Sequence, residues 1–446
     1  MLNRQLLVIA CMLFISSIAC AQENLGLSLE DAINYAIENN REVKDANFDV
    51  IAAKKRVNEV TGMGLPQVSG SFDYTYYAKI PTTLIPGEAF GEDAGSLIPV
   101  SFGLKHNATA GVEASQLIFD GSYIVGLQAA RTYRELSRKE LEQTEVETKY
   151  LVAKAYYNVL VNDERMEMVL ANETRLKKLR DDTKALYENG FAEKLDADRL
   201  ELSYNNILVE KENTKRSLEI GIYLLKFQMG MDYTQEVTLT DKIEDVVLEP
   251  ISPETEEEAF KQRPEYEVLR VQYELAKLDH RKNNYAYLPQ LVGFGSLQTQ
   301  AQRNEFNIFD SNEQWYSFGL VGAKLSVNIF SGFQRSAKSQ QSKITMHKVE
   351  NGLEAMREGI KLEIAESRSN YSNSLARLEM QKNNKALAEE VVRVTQIKYS
   401  EGLGSNLEVT NAETSLRESN SNYYNTLFEA IVAKLDYDKA KGNINK

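Results

Sequence analysis

From Gln67 onward the chain alternates with a period of two. Gln67, Ser69, Ser71, Asp73 and Thr75 are polar, whereas Val68, Gly70, Phe72, Tyr74 and Tyr76 are apolar, small or aromatic. This predicts a β-strand with one face for water and the other for lipid or core. A return strand sets Asn107, Thr109, Glu113 and Ser115 against Ala108, Ala110, Val112 and Ala114, and a later segment sets Lys324, Ser326 and Asn328 against Ala323, Leu325, Val327 and Ile329. Glu113 and Lys324 are the mid-strand charges of the polar faces. Trp315, Tyr316, Tyr76 and Tyr77 fall at strand ends, where an aromatic girdle would sit. The pattern suits a barrel with a wet interior lined by Glu113 and Lys324. A soluble antiparallel sheet packed on one face gives the same alternation.

Between the strands the period lengthens. Val146, Tyr150, Ala153, Tyr157 and Leu160 step by four and three, as do Leu176, Leu179, Thr183 and Leu186, and Leu387, Val391 and Val394 follow the same rule. These are the seams of coiled coils or helix bundles. No proline occurs in 100–249 or 290–446, and Leu127 to Asn189 holds neither Gly nor Pro. A helix over Ile124 to Glu188 would be roughly 98 Å long at 1.5 Å per residue, and one over Phe333 to Tyr399 about as long. Shorter helices are predicted from Ser28, an N-cap with Asp31 three residues on, to about Thr61, from Ala192 to about Met229, and from about Glu254 to Ala286. In each half, two short helices end to end match one long helix, so a bundle in which they stack beside it is expected.

The segments recur. Leu65-Pro66-Gln67-Val68 returns as Leu288-Pro289-Gln290-Leu291, offset by 223, and Tyr187-Glu188-Asn189-Gly190-Phe191 as Tyr399-Ser400-Glu401-Gly402-Leu403, offset by 212. Ile118-Phe119-Asp120-Gly121 matches Ile329-Phe330-Ser331-Gly332. A tandem duplication follows, with a first repeat over 22–250 and a second over 251–446, each reading helix, strand, loop, strand, long helix, tip turn, helix. The first copy carries the longer loop, between residues 75 and 106.

Both cysteines lie in the first 20 residues, where Arg4 precedes an apolar run from Leu6 to Ile15 and Ala19-Cys20-Ala21 supplies a small-x-small site. Residues 1–21 read as a signal peptide, so the chain leaves the cytoplasm. Ile18-Ala19-Cys20 also partly matches the signal in which the cysteine is acylated, so Cys20 is either removed or lipidated. No later stretch reaches the 18 to 20 apolar residues of a transmembrane helix, and insertion would have to be as β-strands. A net charge of −13 argues against nucleic acid as a partner. His106, His280 and His347 are the only histidines, and no nucleophile–base or metal-ligand cluster occurs, so neither catalysis nor a cofactor is expected.

Four strands are too few to close a barrel, which needs about eight, and three copies would supply twelve. The paired Leu-Pro-Gln strand starts, the Phe-x-Gly segments opening the long helices, and the Tyr-x-x-Gly turns followed by Leu195-Asp196 and Leu407-Glu408 resemble those of the TolC-type outer-membrane efflux proteins. The resemblance covers about residues 25 to 441. It implies a mixed, mainly α fold. Tandem-duplicated long helical hairpins form a trimeric periplasmic α-barrel, and four strands per chain contribute to a 12-stranded outer-membrane β-barrel. It further implies a homotrimer in outer-membrane lipid, a passive exit duct of tripartite efflux or type I secretion. The partners would be a periplasmic adaptor and, through it, an inner-membrane RND or ABC transporter. A soluble periplasmic coiled-coil protein is the alternative, and it leaves the alternating strands unexplained.

By position, the resemblance makes Tyr399 the gate tyrosine, Asp196 its carboxylate partner on the neighbouring hairpin, and Glu408 the upper acidic ring. Gly404 stands where the family has a basic gate residue and Asn411 where it has a second ring acid, which implies a more weakly held gate and one ring carboxylate per chain instead of two. As first-turn acids, Asp196 and Glu408 also suit a helix N-terminus. Gly190, Phe191, Gly402 and Leu403 form the turns expected to meet the adaptor, with Phe191 and Leu403 exposed unless something docks on them.

Overall fold

The computed structural model describes residues 25–91, 93–251 and 259–444. The signal segment 1–21 and Cys20 lie outside the described residues. In chain order the elements are β1 (Leu25–Leu27), α1 (Leu29–Asn39), α2 (Arg41–Gly62), β2 (Gln67–Tyr76), β3 (Thr82–Pro86), β4 (Leu97–Ser101), β5 (His106–Phe119), α3 (Gly121–Glu188), α4 (Lys194–Met229), β6 (Val237–Leu239), α5 (Pro264–Tyr285), β7 (Gln290–Arg303), β8 (Tyr316–Ser326), α6 (Gln334–Ser400) and α7 (Asn406–Lys441). The two longest helices have 68 and 67 residues, and α4 and α7 have 36 each. No helix among the described residues is long and apolar enough to cross a membrane.

The chain clusters into two compact units. One comprises 51–136 and 270–351 and holds an antiparallel sheet in the order β2-β5-β7-β8. Its strands are 10, 14, 14 and 11 residues long, so each is long enough to cross a bilayer as a tilted strand. Each edge strand, β2 and β8, has a single hydrogen-bonded neighbour. The long loop of the first half folds as a separate β3–β4 hairpin. The β7–β8 loop lies over one end of the sheet: Phe306 and Phe309 pack on Tyr74, His106 and Phe72, and Arg303 donates from Nη2 to the Gln314 carbonyl at 2.6 Å.

The other unit, 25–50, 137–269 and 352–444 among described residues, is built from helices around a core of Leu27, Ala32, Ala36, Val152, Tyr156, Leu225, Met229, Tyr424 and Ile431. Tyr156 is wholly buried; its hydroxyl donates to the Leu27 carbonyl at 3.0 Å and to Asp241 Oδ2 at 2.9 Å. Asp241 also accepts from the Leu29 amide at 2.8 Å, tying the parallel β1–β6 pair to the start of α1. Burial first, and the Asp241 carboxylate second, push the Tyr156 phenol well above the ordinary tyrosine range. Ser28 caps α1 in a full capping box with Asp31.

The opening helix of the first half is not continuous to Thr61. It breaks at Asn40, which leaves helical geometry at ψ 138° and caps α2, its Oδ1 accepting from the Glu42 and Val43 amides at 2.8 and 3.3 Å. The C-terminus of α4 abuts this break: Asn40 Nδ2 donates to the Gln228 carbonyl at 2.7 Å, and a Cβ on Gly230, at φ +69°, would lie 2.5 Å from the Asn39 carbonyl oxygen. The corresponding helix of the second half starts at Pro264 instead of Glu254, after a short 3₁₀ turn at 259–262; 252–258 are outside the described residues. There Arg263 Nη1 donates to the Ala440 carbonyl at 3.1 Å, and a Cβ on Gly442 would come within 3.0 Å of the Gln262 backbone. In both halves two short helices thus meet end to end at a glycine that only a missing side chain allows.

Candidate functional site

The sheet register defines two walls. One face carries Gln67, Ser69, Ser71, Asp73 and Thr75 on β2, paired with Ser115, Glu113, Gly111, Thr109 and Asn107 on β5. Those in turn pair with Phe294, Ser296, Gln298, Gln300 and Gln302 on β7. Glu113 and Lys324 share this polar face and are exposed. They are not opposite one another: Leu320 is the β8 residue in Glu113's row, and Lys324 stands four residues along, beside Val292. On β8 the face turns apolar, with Tyr316, Phe318 and Leu320.

The other face carries Val68, Ala114, Gly295 and Val321 in one row and Gly70, Val112, Leu297 and Gly319 in the next. Its large side chains lie open, Val68 at 70%, Leu297 at 67% and Val321 at 93% exposed. An apolar face of this extent is unstable against water and suits lipid. Tyr76 closes β2, Tyr77 follows it, Trp315 precedes β8 and Tyr316 opens it, so the four aromatics gather at the end of the sheet that carries the β7–β8 loop.

The helical tip is formed by two turns of the same build. Gly190 and Gly402 take φ of +79° and +72°, and the Phe191 and Leu403 amides reach back to the Leu186 and Lys398 carbonyls, each at 2.8 Å. This is the helix-ending arrangement that needs a left-handed residue, hence glycine. Phe191 and Leu403 are each 82% exposed.

Beyond the turns, α4 and α7 begin side by side: Asn406, buried, donates from Nδ2 to the Asp196 carbonyl at 2.9 Å. Asp196 is half-buried, with Arg199 3.8 Å from its carboxylate. Ser405 caps α7 through the Glu408 amide at 3.3 Å, while Glu408 and Asn411 point into solvent. Tyr399 is half-buried, and its hydroxyl lies 3.2 Å from Thr183 Oγ1 on α3, a buried partner that motif matching alone does not supply.

The strongest link near the tip also lies outside the motif. Arg175 of α3 forms a fork on Glu413 of α7, Nε to Oε1 at 3.0 Å and Nη2 to Oε2 at 3.1 Å, and Gln396 of α6 donates to the same Oε1 at 2.7 Å. The Glu413 side chain is only 6% exposed. A charged residue within the apolar repeat around Val409, Ala412 and Leu416 is the signal that could have revealed it. Farther from the turn, burial and then the nearby Glu167 hold the Asp163 carboxyl above the usual carboxylate range.

A two-walled sheet with open edges and a long-helix unit define an outer-membrane channel protein. The family described as outer membrane efflux protein matches residues 32–218 and 257–428, and the chain belongs to it. Among relatives, it is 21% identical to outer membrane protein TolC of Vibrio cholerae, with 76% of this chain and 77% of that protein covered. It is 22% identical to outer membrane protein TolC of Escherichia coli, with 91% and 80% covered. The fold is similar to the open state of the Neisseria gonorrhoeae MtrE outer membrane channel, with a TM-score of 0.74, 16% identity, and 93% and 88% of the two chains covered. The chain is an efflux duct of the outer membrane.

Proposed function

We propose that three copies of this chain assemble into one passive duct, their sheets joining edge to edge as a barrel of about twelve strands and their helices as a periplasmic α-barrel. The observation that carries this reading is the pair of unsatisfied edges on β2 and β8 beside an exposed apolar face. In lipid an open edge costs several kcal/mol per unpaired group, so closure must come from further copies. A second observation agrees: the α6 positions Leu387, Val391 and Val394, at coiled-coil spacing, are 65%, 44% and 36% exposed in the single chain and call for a neighbouring helix. Cell fractionation followed by an unheated gel with crosslinking tests the proposal. A heat-sensitive trimer in the outer membrane is expected. A monomer in the soluble periplasmic fraction would refute it and favour the coiled-coil reading.

The duct performs no catalysis and takes its cargo from an inner-membrane transporter of RND or ABC type through a periplasmic adaptor, in efflux or type I secretion. The two apolar tip residues, Phe191 and Leu403, support docking of the adaptor at the turns. Tyr399, Asp196, Glu408 and Asn411 form the periplasmic gate, with Thr183 holding the Tyr399 hydroxyl within the chain. Glu113 and Lys324 line the barrel lumen. The two halves, 22–250 and 251–446, arise by duplication, a reading supported by the matching glycine joints at Gly230 and Gly442.

A further inference from the structure

A cavity of about 380 Å³ opens between α4 and α7, some turns away from the tip, and is lined by Arg165 of α3, Asn206, Glu210, Asn213 and Ser217 of α4, and Arg417 of α7. Its chemistry differs from the rest of the helical unit. Arg165 Nε is buried with no acceptor, although its Nη2 is 3.6 Å from Glu210. Arg417 forms no hydrogen bond or ion pair among the described residues. Nearby carboxylates are already engaged, Glu413 by Arg175 and Gln396 and Glu173 by Lys211 at 2.8 Å. Two guanidinium groups against one carboxylate leave the cavity with one net positive charge and unused N–H donors facing amide and hydroxyl groups.

We propose that this cavity is a carboxylate-binding site in which Arg417 receives the anion as a fork and Arg165 Nε and the Asn213 amide complete its hydrogen bonds. One net positive charge matches a monoanionic carboxylate better than a dianionic phosphate, and a planar carboxylate matches the guanidinium geometry. A buried unpaired donor costs free energy, and an arriving acceptor removes that cost. The carboxylate belongs to an acidic side chain of a docked protein or to a free small acid, and the same experiment separates them. The full-length protein in detergent is titrated calorimetrically with N-acetylglutamate α-amide, which mimics a protein side chain, with butyrate, a free monoanionic acid, and with inorganic phosphate, alongside Arg417→Gln and Asn213→Ala. Saturable millimolar binding of the α-amide, weakened about tenfold or more by Arg417→Gln and less by Asn213→Ala, is expected for a protein-borne carboxylate. Binding of butyrate alone, with the same loss, assigns the site to a free acid. Tighter binding of phosphate than of either, binding unaffected by Arg417→Gln, or no saturation with any probe overturns the proposal. Arg417 has no hydrogen-bond or ion-pair partner among the described residues, so Arg417→Gln is expected to leave the fold intact, checked by an unchanged circular dichroism spectrum and melting temperature.

Discussion

Removing the Arg175–Glu413 fork should loosen the packing of α7 on α3 near the tip by a measurable and mostly pairwise amount. The link is bidentate, with contacts at 3.0 and 3.1 Å, and Gln396 adds a third donor at 2.7 Å. Hydrogen bonds to a charged group contribute about 1.5 to 3 kcal/mol, but the Arg175 side chain is 34% exposed and solvent screens part of the attraction. A coupling of about 1 to 2 kcal/mol between Arg175 and Glu413 follows, or roughly 5- to 30-fold in the local opening equilibrium. Glu413→Ala alone should cost about 2 to 3 kcal/mol, because it strips an acceptor from Gln396 as well as from Arg175. Amide hydrogen exchange over the first four turns of α7, in the wild type, Arg175→Ala, Glu413→Ala and the double variant, yields all the terms of the cycle. Additive effects, with a coupling below about 0.3 kcal/mol, would refute the reasoning and reduce the fork to a surface pair.

Three further outcomes are expected. Gly230→Ala should destabilise the helical unit by about 2 kcal/mol or more, since a left-handed residue costs about 1 to 2 kcal/mol and the new Cβ would lie 2.5 Å from the Asn39 carbonyl oxygen; an unchanged melting temperature would contradict the glycine joint. Tyr156→Phe should cost about 1 to 2 kcal/mol by removing one of two hydrogen bonds on Asp241 Oδ2 and one of two on the Leu27 carbonyl, which keeps the Thr240 amide at 3.0 Å. The folded-state pKa of Tyr156 is raised, so its contribution is full below the unfolded value of about 10 and is lost as pH rises above it. Thermal melts across that range should show less alkaline destabilisation in Tyr156→Phe than in the wild type. Phe191→Asp or Leu403→Asp, at positions that are 82% exposed, should abolish efflux in cells while trimers form normally; loss of the trimer in either variant would show that the tips serve assembly instead.

Local patterns carried the element list. Period-two alternation marked β2, β5 and β8 because one face of each meets water and the other apolar surroundings, the repeated Leu-Pro-Gln start marked β7, and the absence of proline marked helices of 68 and 67 residues because a single interior proline would have broken them. Ser28 and Asp31 announced the start of α1 because a capping box is a contact within one turn. The break at Asn40 was hidden, since its cause is a hydrogen bond to the Gln228 carbonyl, 188 residues away, together with a cap that competes with helix continuation only once α4 has arrived. The β1–β6 pair was equally hidden, being three residues long and held through Tyr156 and Asp241 from distant segments.

The site divides in the same way. The turns at Gly190 and Gly402 could be read directly, because a left-handed helix end depends on the residue at that position and little else. What Tyr399 touches, which acid Arg175 grips, and which row of the sheet faces Glu113 depend on helix rotation and strand register, properties of two segments brought together and not of either alone. Sequence by itself therefore determined the long helices, the long strands of the four-stranded sheet, the two tip turns and the family the chain resembles. Only the tertiary structure decided which buried polar groups meet, because a hydrogen bond of 3 Å requires a placement that no local pattern encodes.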